Sequence, residues 1–157
     1  MSKSTIGWLW VGGQAVLLGA LVLWPAGSAW SRPAALLLVA GILFFGGLGL
    51  VAFSALGLGT ARTPTPVPTR SGQLTTSGLY KFVRHPIYSG VLMVVAGITL
   101  RSGNWIHVVI AVATYAFFDR KAAWEEQRLR ETYPDYDAYA ARTPKFIPLA
   151  GGRSGAG

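Results

Sequence analysis

Four long apolar runs constrain the fold of this chain more than any other feature. They cover residues 5–24, 33–58, 86–100 and 105–118. A helix that crosses the hydrocarbon core of a bilayer needs roughly 20 apolar residues. The first two runs reach that length, whereas the last two are short and must borrow flanking residues. Charged residues make up 13% of the chain, against roughly 25% in typical soluble domains. We therefore predict an all-α polytopic membrane protein with about four transmembrane helices.

The basic residues indicate the orientation of these helices. If the N-terminus, the loop 59–85 and the C-terminal tail share one side, that side holds twelve of the fourteen Lys and Arg residues. Because Lys and Arg accumulate in cytoplasmic loops, we expect both termini in the cytoplasm, in the membrane of a prokaryotic cell. The net charge of +8 fits contact with anionic lipid, because the bases flank apolar runs. We expect no nucleic-acid partner.

The apolar runs divide the chain into four parts. They are an N-terminal transmembrane hairpin (1–58), a cytoplasmic loop (59–85), a half with two transmembrane helices and cytoplasmic tail helices (86–148), and a flexible tail (149–157). The loop carries Pro64, Pro66 and Pro68, whose alternate spacing excludes a helix and favours an extended path. In the tail, Pro134 disfavours helix at the residue before it and is expected to separate two short helices.

A polar cluster of Arg84, His85 and Tyr88 stands at the start of the third apolar run. Pro86 fits the first turn of a helix, where no backbone donor is needed, so His85 should lie at or next to the N-cap. The free N–H groups and partial positive charge of a helix start suit a carboxylate or another anion, and Arg84 adds to that field. The alternative is an interfacial anchor.

The second candidate cluster is Glu125 and Glu126, with Lys121 one turn earlier. The fourth apolar run is roughly 21 Å long as a helix, so the helix must continue before it clears the membrane. Ionisable groups at that depth are costly unless they pair or face a cavity. Lys121 can pair with Glu125, and Glu126 with Arg130, along the helix. The alternative is that these residues form a solvated helix face. Adjacent acids point roughly 100° apart, so we expect at most one to face any given site.

The remaining polar residues of the apolar runs are assigned to packing. We expect Gln14 and Thr99 to make interhelical hydrogen bonds, with a substrate role for Gln14 as the alternative, and His107 to be interfacial. The chain has no Cys and two His, which leaves no thiol nucleophile and too few His for a histidine-rich metal cluster. We predict no metal site.

Several ordered motifs occupy residues 72–148. They read Ser77-Gly-Leu-Tyr80, Arg84-His-Pro-Ile-Tyr-Ser-Gly90, Lys121-Ala-Ala-Trp-Glu-Glu-Gln-Arg-Leu129, Tyr136-Asp-Ala-Tyr139 and Arg142-Thr-Pro-Lys-Phe-Ile-Pro148. Together they resemble the isoprenylcysteine carboxyl methyltransferase family, which belongs with the phospholipid methyltransferases. The first two apolar runs carry none of these motifs.

The resemblance implies S-adenosylmethionine as a methyl donor that is bound without a Rossmann domain. The implied cofactor-binding residues are Gln73, Leu74, Thr75, Tyr80, Arg84, His85, Pro86, Ile87, Tyr88 and Glu125. Lys121 stands where the prenylcysteine enzymes have an arginine, and we assign it, with Glu126, to positioning the acceptor. For an amine acceptor, Glu126 or His85 would be the candidate base.

The implied reaction moves a methyl group to a lipid-like acceptor that enters from the bilayer. A prenylcysteine-like carboxylate and a lipid amine both stay open as acceptors, and the oligomeric state is not predicted. Two other functions also stay open. One is an NADPH-dependent enzyme similar to the sterol reductases, and the other is a small membrane scaffold without activity.

Overall fold

The fold is entirely helical wherever it is described. The structure is a computed structural model that describes residues 3–57 and 74–148, and within these residues it has no β-strand. The elements are α1 (Lys3–Leu23), α2 (Ala34–Gly57), a 3₁₀ turn (Gly78–Lys81), α3 (Pro86–Ser102), α4 (Trp105–Thr132) and α5 (Tyr136–Arg142). The all-α prediction is confirmed. The proline-rich path, Gln73 and the flexible tail lie outside the described residues.

Two helices of the described residues are long and apolar enough to cross a membrane. They are Thr5–Leu23 within α1 and Ala34–Gly57, which is all of α2, and only 11% of the scanned stretch of each is buried. Large apolar side chains such as Val16, Phe45 and Phe53 are 70%, 72% and 72% exposed. An apolar surface of this extent is unfavourable in water and favourable against lipid. α3 is a shorter apolar helix.

α2 and α3 pack with their backbones in close contact, because glycine occupies the contact points. A Cβ atom at Gly47 would lie 2.5 Å from the carbonyl oxygen of Gly90, and one at Gly97 would lie 2.6 Å from that of Ala40. Small residues let membrane helices approach this closely. Gly47 of the second apolar run thus serves helix packing.

The loop between α1 and α2 is bonded to the turn between α3 and α4. Gly103 ends α3 with a φ of +64°, a left-handed conformation that glycine adopts without strain. The Ser102 carbonyl accepts a hydrogen bond from the Gly27 N–H at 2.8 Å. His107 is 2% exposed and lies in the first turn of α4, packed against its neighbours, and its interfacial position stays a prediction. Thr99 donates to the carbonyl of His107 at 3.4 Å, which confirms its interhelical hydrogen bond.

The C-terminal part of the chain folds back over the start of α3. α4 has 28 residues, which corresponds to roughly 42 Å, and ends at Thr132 as Pro134 predicts. After α5 the chain returns to α3, where the Arg84 N–H donates to the Pro144 carbonyl at 2.9 Å. The next N–H, that of His85, donates to the Lys145 carbonyl at 3.1 Å. The tail therefore holds the backbone that leads into α3.

The α2–α3 contact predicts different effects for two neighbouring glycines. Gly47→Ala places a methyl group against the Gly90 carbonyl and should lower stability by about 1–3 kcal/mol through overpacking. Gly49 faces open space, so Gly49→Ala should be neutral or stabilise the helix by about 1 kcal/mol or less. Unfolding by SDS titration in micelles measures both. Equal effects of the two substitutions would contradict this packing.

Candidate active site

The site begins at the N-terminus of α3. Pro86 is the first helical residue and His85 is the N-cap, as the sequence predicts. His85 makes no side-chain capping bond, so its imidazole is free to point elsewhere. In an α-helix the first N–H groups have no partner within the helix, which leaves those of Ile87 and Tyr88 available to a ligand. The local sequence thus produces both a helix end with unpaired N–H groups and a histidine beside it.

The imidazole of His85 lies between the two acids of α4. Its Nε2 is 3.0 Å from Oε1 of Glu126, and its Nδ1 is 3.7 Å from Oε2 of Glu125. His85 is 8% exposed, so these contacts form largely out of water. The prediction that at most one of the two acids faces a given site is wrong. The two side chains leave the helix in different directions, but each carboxylate reaches a different nitrogen of the same imidazole ring.

Glu126 is held by several groups at once. Arg84 donates its Nε–H to Oε1 of Glu126 at 3.0 Å, and Nη2 of Arg130 lies 3.9 Å from Oε2. Arg84 also donates to the carbonyl of Ala140 at 2.8 Å and to that of Thr143. The guanidinium was expected to add to the field that binds an anion. Its observed partners instead tie α3, α4 and the tail together.

The two acids therefore differ in their electrostatics. Burial would raise the pKa of Glu126, but the hydrogen bonds and charges of His85 and Arg84 outweigh burial and lower it to about 2. Burial raises the pKa of Glu125, and His85, Tyr88 and Lys121 only partly oppose that effect. Glu126 is thus a firmly ionised anchor, whereas Glu125 is a buried carboxylate that gains from a further cationic or hydrogen-bonding partner.

Two tyrosines complete the surroundings of Glu125. The Tyr88 hydroxyl donates a short hydrogen bond to Oε1 of Glu125, and the Tyr88 ring stacks on His85 with 5.4 Å between ring centroids. Burial, with smaller contributions from Tyr139 and Glu125, raises the pKa of Tyr80 to about 12. The carbonyl of Tyr80 accepts a hydrogen bond from the Tyr139 hydroxyl at 2.6 Å. Tyr80 is therefore fixed near Glu125 by the tail.

Lys121 pairs across helices rather than along its own. Its Nζ donates to Oε1 of Gln14 on α1 at 2.7 Å, which confirms the predicted interhelical hydrogen bond of Gln14. The expected ion pair with Glu125 is not among the described salt bridges. Lys121 is 5% exposed, and its Nζ lies 5.1 Å from the centroid of the Tyr88 ring. Burial lowers the pKa of Lys121, and Glu125 opposes that effect.

The structure brings most of the predicted site residues to this place. Leu74 and Thr75 are half-buried where the described chain resumes, and Ile87 is half-buried in the first turn of α3. Gln73 lies outside the described residues. Among the residues described, no three His, Cys, Asp or Glu side chains are grouped so as to hold a metal ion.

Sequence reasoning missed the contribution of the tail to this site. Ser89 is buried and donates to the Phe146 carbonyl at 2.7 Å, and the Phe146 ring lies 6.1 Å from that of His85. The motif from Arg142 to Pro148 was recognised, but no pattern in it shows which helix its carbonyls would contact. Every residue has a backbone carbonyl, so the sequence does not show which carbonyl accepts a given hydrogen bond. Only the fold reveals it.

Comparison with known proteins points to membrane methyltransferases. The phospholipid methyltransferase family matches residues 35–136. The chain is 32% identical over 78 residues to the protein-S-isoprenylcysteine O-methyltransferase of Schizosaccharomyces pombe, a match that covers 48% of this chain and 33% of that protein. It is 35% identical over 79 residues to protein-S-isoprenylcysteine O-methyltransferase B of Arabidopsis thaliana, covering 49% and 40%.

A relative with a different name shows the same extent of similarity. The nickel-cobalt-cadmium resistance protein NccN of Alcaligenes xylosoxydans is 29% identical over 80 residues, which covers 50% of this chain and 38% of that protein. The similarity to these three relatives thus spans 33–40% of their length. The matched stretch is about half of this chain in each case, as the resemblance from sequence motifs indicated.

The anchoring of Glu126 predicts a pH dependence of stability. A folded pKa of about 2, below the ordinary 4.5, means that its stabilisation is complete above pH 4.5 and is lost as the pH falls towards 2. The stability difference between wild type and Glu126→Gln should therefore shrink by roughly 3 kcal/mol between pH 5 and pH 2. Urea unfolding in micelles at a series of pH values measures it, with the exposed Glu131→Gln as control. If the free energies of unfolding of wild type and Glu126→Gln changed in parallel with pH, the anchoring role of Glu126 would be contradicted.

Proposed function

The chain belongs to the phospholipid methyltransferase family, and we propose that it is an integral membrane enzyme that transfers a methyl group from S-adenosylmethionine to an amphipathic acceptor. The observation that carries the proposal is the position of Glu125. This carboxylate, whose side chain is 13% exposed, lies against His85 and Tyr88, within the region matched by the family and beside the N-terminus of α3. A buried acid with no full counter-charge is a candidate for binding a cationic ligand.

The donor groups of the site fit the cofactor. Glu125 would hold its ammonium group or its ribose hydroxyls, because a carboxylate accepts both kinds of hydrogen bond. The free N–H groups of Ile87 and Tyr88 would hold its carboxylate, since a helix N-terminus favours an anion. The cofactor supplies an electrophilic methyl group on a sulfonium. Tyr80, Leu74 and Thr75, with Gln73, would line the rest of the site.

The protein's part in the chemistry is mostly positioning. An acceptor that is already anionic needs alignment and exclusion of water more than acid–base help. Lys121 is a buried basic residue that interacts electrostatically with Glu125 and would orient such an acceptor. For an amine acceptor a base is needed. Glu126 is a weak base because His85 and Arg84 bind it, whereas burial makes Glu125 more basic.

The proposed membrane topology gives each substrate its own entrance. We place four helices in the bilayer, with both termini in the cytoplasm. The start of α3 and the Lys121–Glu126 turn of α4 then lie at the cytoplasmic interface. The cofactor enters from the cytoplasm beneath the loop 59–85 and the tail, and the acceptor enters sideways from the lipid.

The two rival functions receive less support. The relatives with named activities are O-methyltransferases rather than NADPH-dependent reductases. The pairs of Glu126 with Arg84 and His85 would suit a scaffold as well as an enzyme, but a scaffold would not need Glu125, whose pKa burial raises and which lacks a full counter-charge. Both observations favour a methyltransferase.

Binding of S-adenosylhomocysteine to the purified protein in micelles tests the proposal. Calorimetry should detect binding to the wild type. Glu125→Gln should weaken it by roughly 10- to 100-fold, because a hydrogen bond to a charged group contributes about 1.5–3 kcal/mol. The matched control is Glu131→Gln, which replaces an exposed acid of the same helix and should bind like the wild type.

Two results would count against the proposal. A folded wild type that binds no S-adenosylhomocysteine would exclude the cofactor assignment, and binding of NADPH in its place would favour the reductase. Equal loss of binding in both glutamate variants would show that Glu125 is not the binding group. The melting temperature of each variant, measured in the same micelles, separates lost binding from lost folding.

A further inference from the structure

One residue of α1 reaches the candidate active site. Gln14 lies outside the region matched by the phospholipid methyltransferase family, which begins at residue 35. Its Oε1 nevertheless accepts the hydrogen bond from Nζ of Lys121. We propose that Gln14 is a specificity-determining positioning residue, which holds the Lys121 ammonium in place and so makes the site reject acceptors with a cationic headgroup. The proposal rests on the proposed function.

The ammonium of Lys121 is confined from several directions. Nζ lies 5.1 Å from the centroid of the Tyr88 ring and 5.8 Å from that of Phe118, and Gln14 is its hydrogen-bond partner among the described residues. A lysine on a four-carbon stem loses considerable side-chain entropy when fixed in this way. The side-chain carbonyl of Gln14 accepts a directional hydrogen bond that favours one position of the Lys121 ammonium. Without it, the ammonium has only the non-directional attraction of the rings and of Glu125.

The surroundings of α1 support a fixed contact between the two helices. Trp10, one turn before Gln14, lies 5.1 Å from the Phe117 ring and 6.3 Å from the Trp124 ring, measured between centroids. A Cβ at Gly13 would lie 2.8 Å from the Phe117 ring. α1 and α4 are thus packed closely next to the hydrogen bond, so the backbone of Gln14 is held near Lys121.

The charge of Lys121 then decides which headgroup is admitted. A held ammonium repels a cationic headgroup, and the repulsion is stronger at a buried site than in water. It attracts an anionic headgroup with its remaining N–H donors. A neutral amide at position 14 adds no counter-charge, so Glu125 is the acid that acts on the ammonium. A carboxylate at the same position would neutralise it and remove the basis of the selection.

The reactivity of Lys121 tests the proposal without cofactor or turnover. Reductive methylation with deuterated formaldehyde, read by peptide mass spectrometry across a pH series, reports the deprotonated amine. Gln14→Leu should lower the pH of half-maximal labelling by about one unit, because it removes a hydrogen bond to the charged form. Gln14→Glu should raise it by about one unit. The matched controls are Gln127→Leu and Gln127→Glu, at an exposed position of α4, and should titrate like the wild type.

Protection of Lys121 by two amphiphiles tests the selectivity. Dodecanoate and dodecyltrimethylammonium have the same chain length and opposite headgroup charge. Dodecanoate should protect Lys121 of the wild type at roughly tenfold lower concentration, and Gln14→Glu should abolish that difference while the Gln127 variants keep it. Unchanged titration and unchanged protection in both Gln14 variants would overturn the proposal. A wild type that fails to bind S-adenosylhomocysteine would remove the proposed function but leave these labelling results decisive for the Gln14–Lys121 pair.

Discussion

The contact of one histidine with two carboxylates determines the arrangement of the part of this protein that holds the candidate site. His85 reaches Glu126 through Nε2 at 3.0 Å and faces Glu125 through Nδ1 at 3.7 Å. For this to happen α3 must begin at Pro86, α4 must remain helical beyond the apolar run, and the tail must hold the backbone of His85 by the Lys145 carbonyl. The first two requirements are met by local features of the sequence, whereas the third depends on how the tail packs.

Two adjacent residues of the same type acquire different roles through this contact. Glu126 is bound by His85 and Arg84, which keeps it ionised and ties the helices to the tail. Glu125 has the Tyr88 hydroxyl and the more distant Nδ1 as its polar neighbours, and burial raises its pKa. The fixed Glu126 holds this part of α4 in place, and the neighbouring Glu125 keeps hydrogen-bonding positions that a ligand can use. The family assignment and the proposed cofactor chemistry both fit this division.

Features that depend on a few neighbouring residues were predictable from the sequence, whereas contacts between distant segments were not. The start of α3 at Pro86, the end of α4 before Pro134 and the all-α class follow from proline geometry and apolar length, which act within a few residues. The burial of His107 and the meeting of both acids at His85 depend on how helices pack, and helical spacing alone gives only the direction of a side chain. The bond from Lys121 to Gln14 joins residues 107 positions apart. No local rule could select that partner over Glu125, which stands four residues from Lys121.

Transfer of a labelled methyl group tests the central claim most directly. The wild-type protein in proteoliposomes made from total bacterial lipid extract would receive S-adenosylmethionine with a labelled methyl group, and mass spectrometry would locate the label. The account predicts label in an amphipathic product that stays with the lipid fraction, and at least a tenfold lower rate for Glu125→Gln with the melting temperature retained. A folded protein that binds S-adenosylhomocysteine but transfers label at the same rate with and without the Glu125 carboxylate would contradict it.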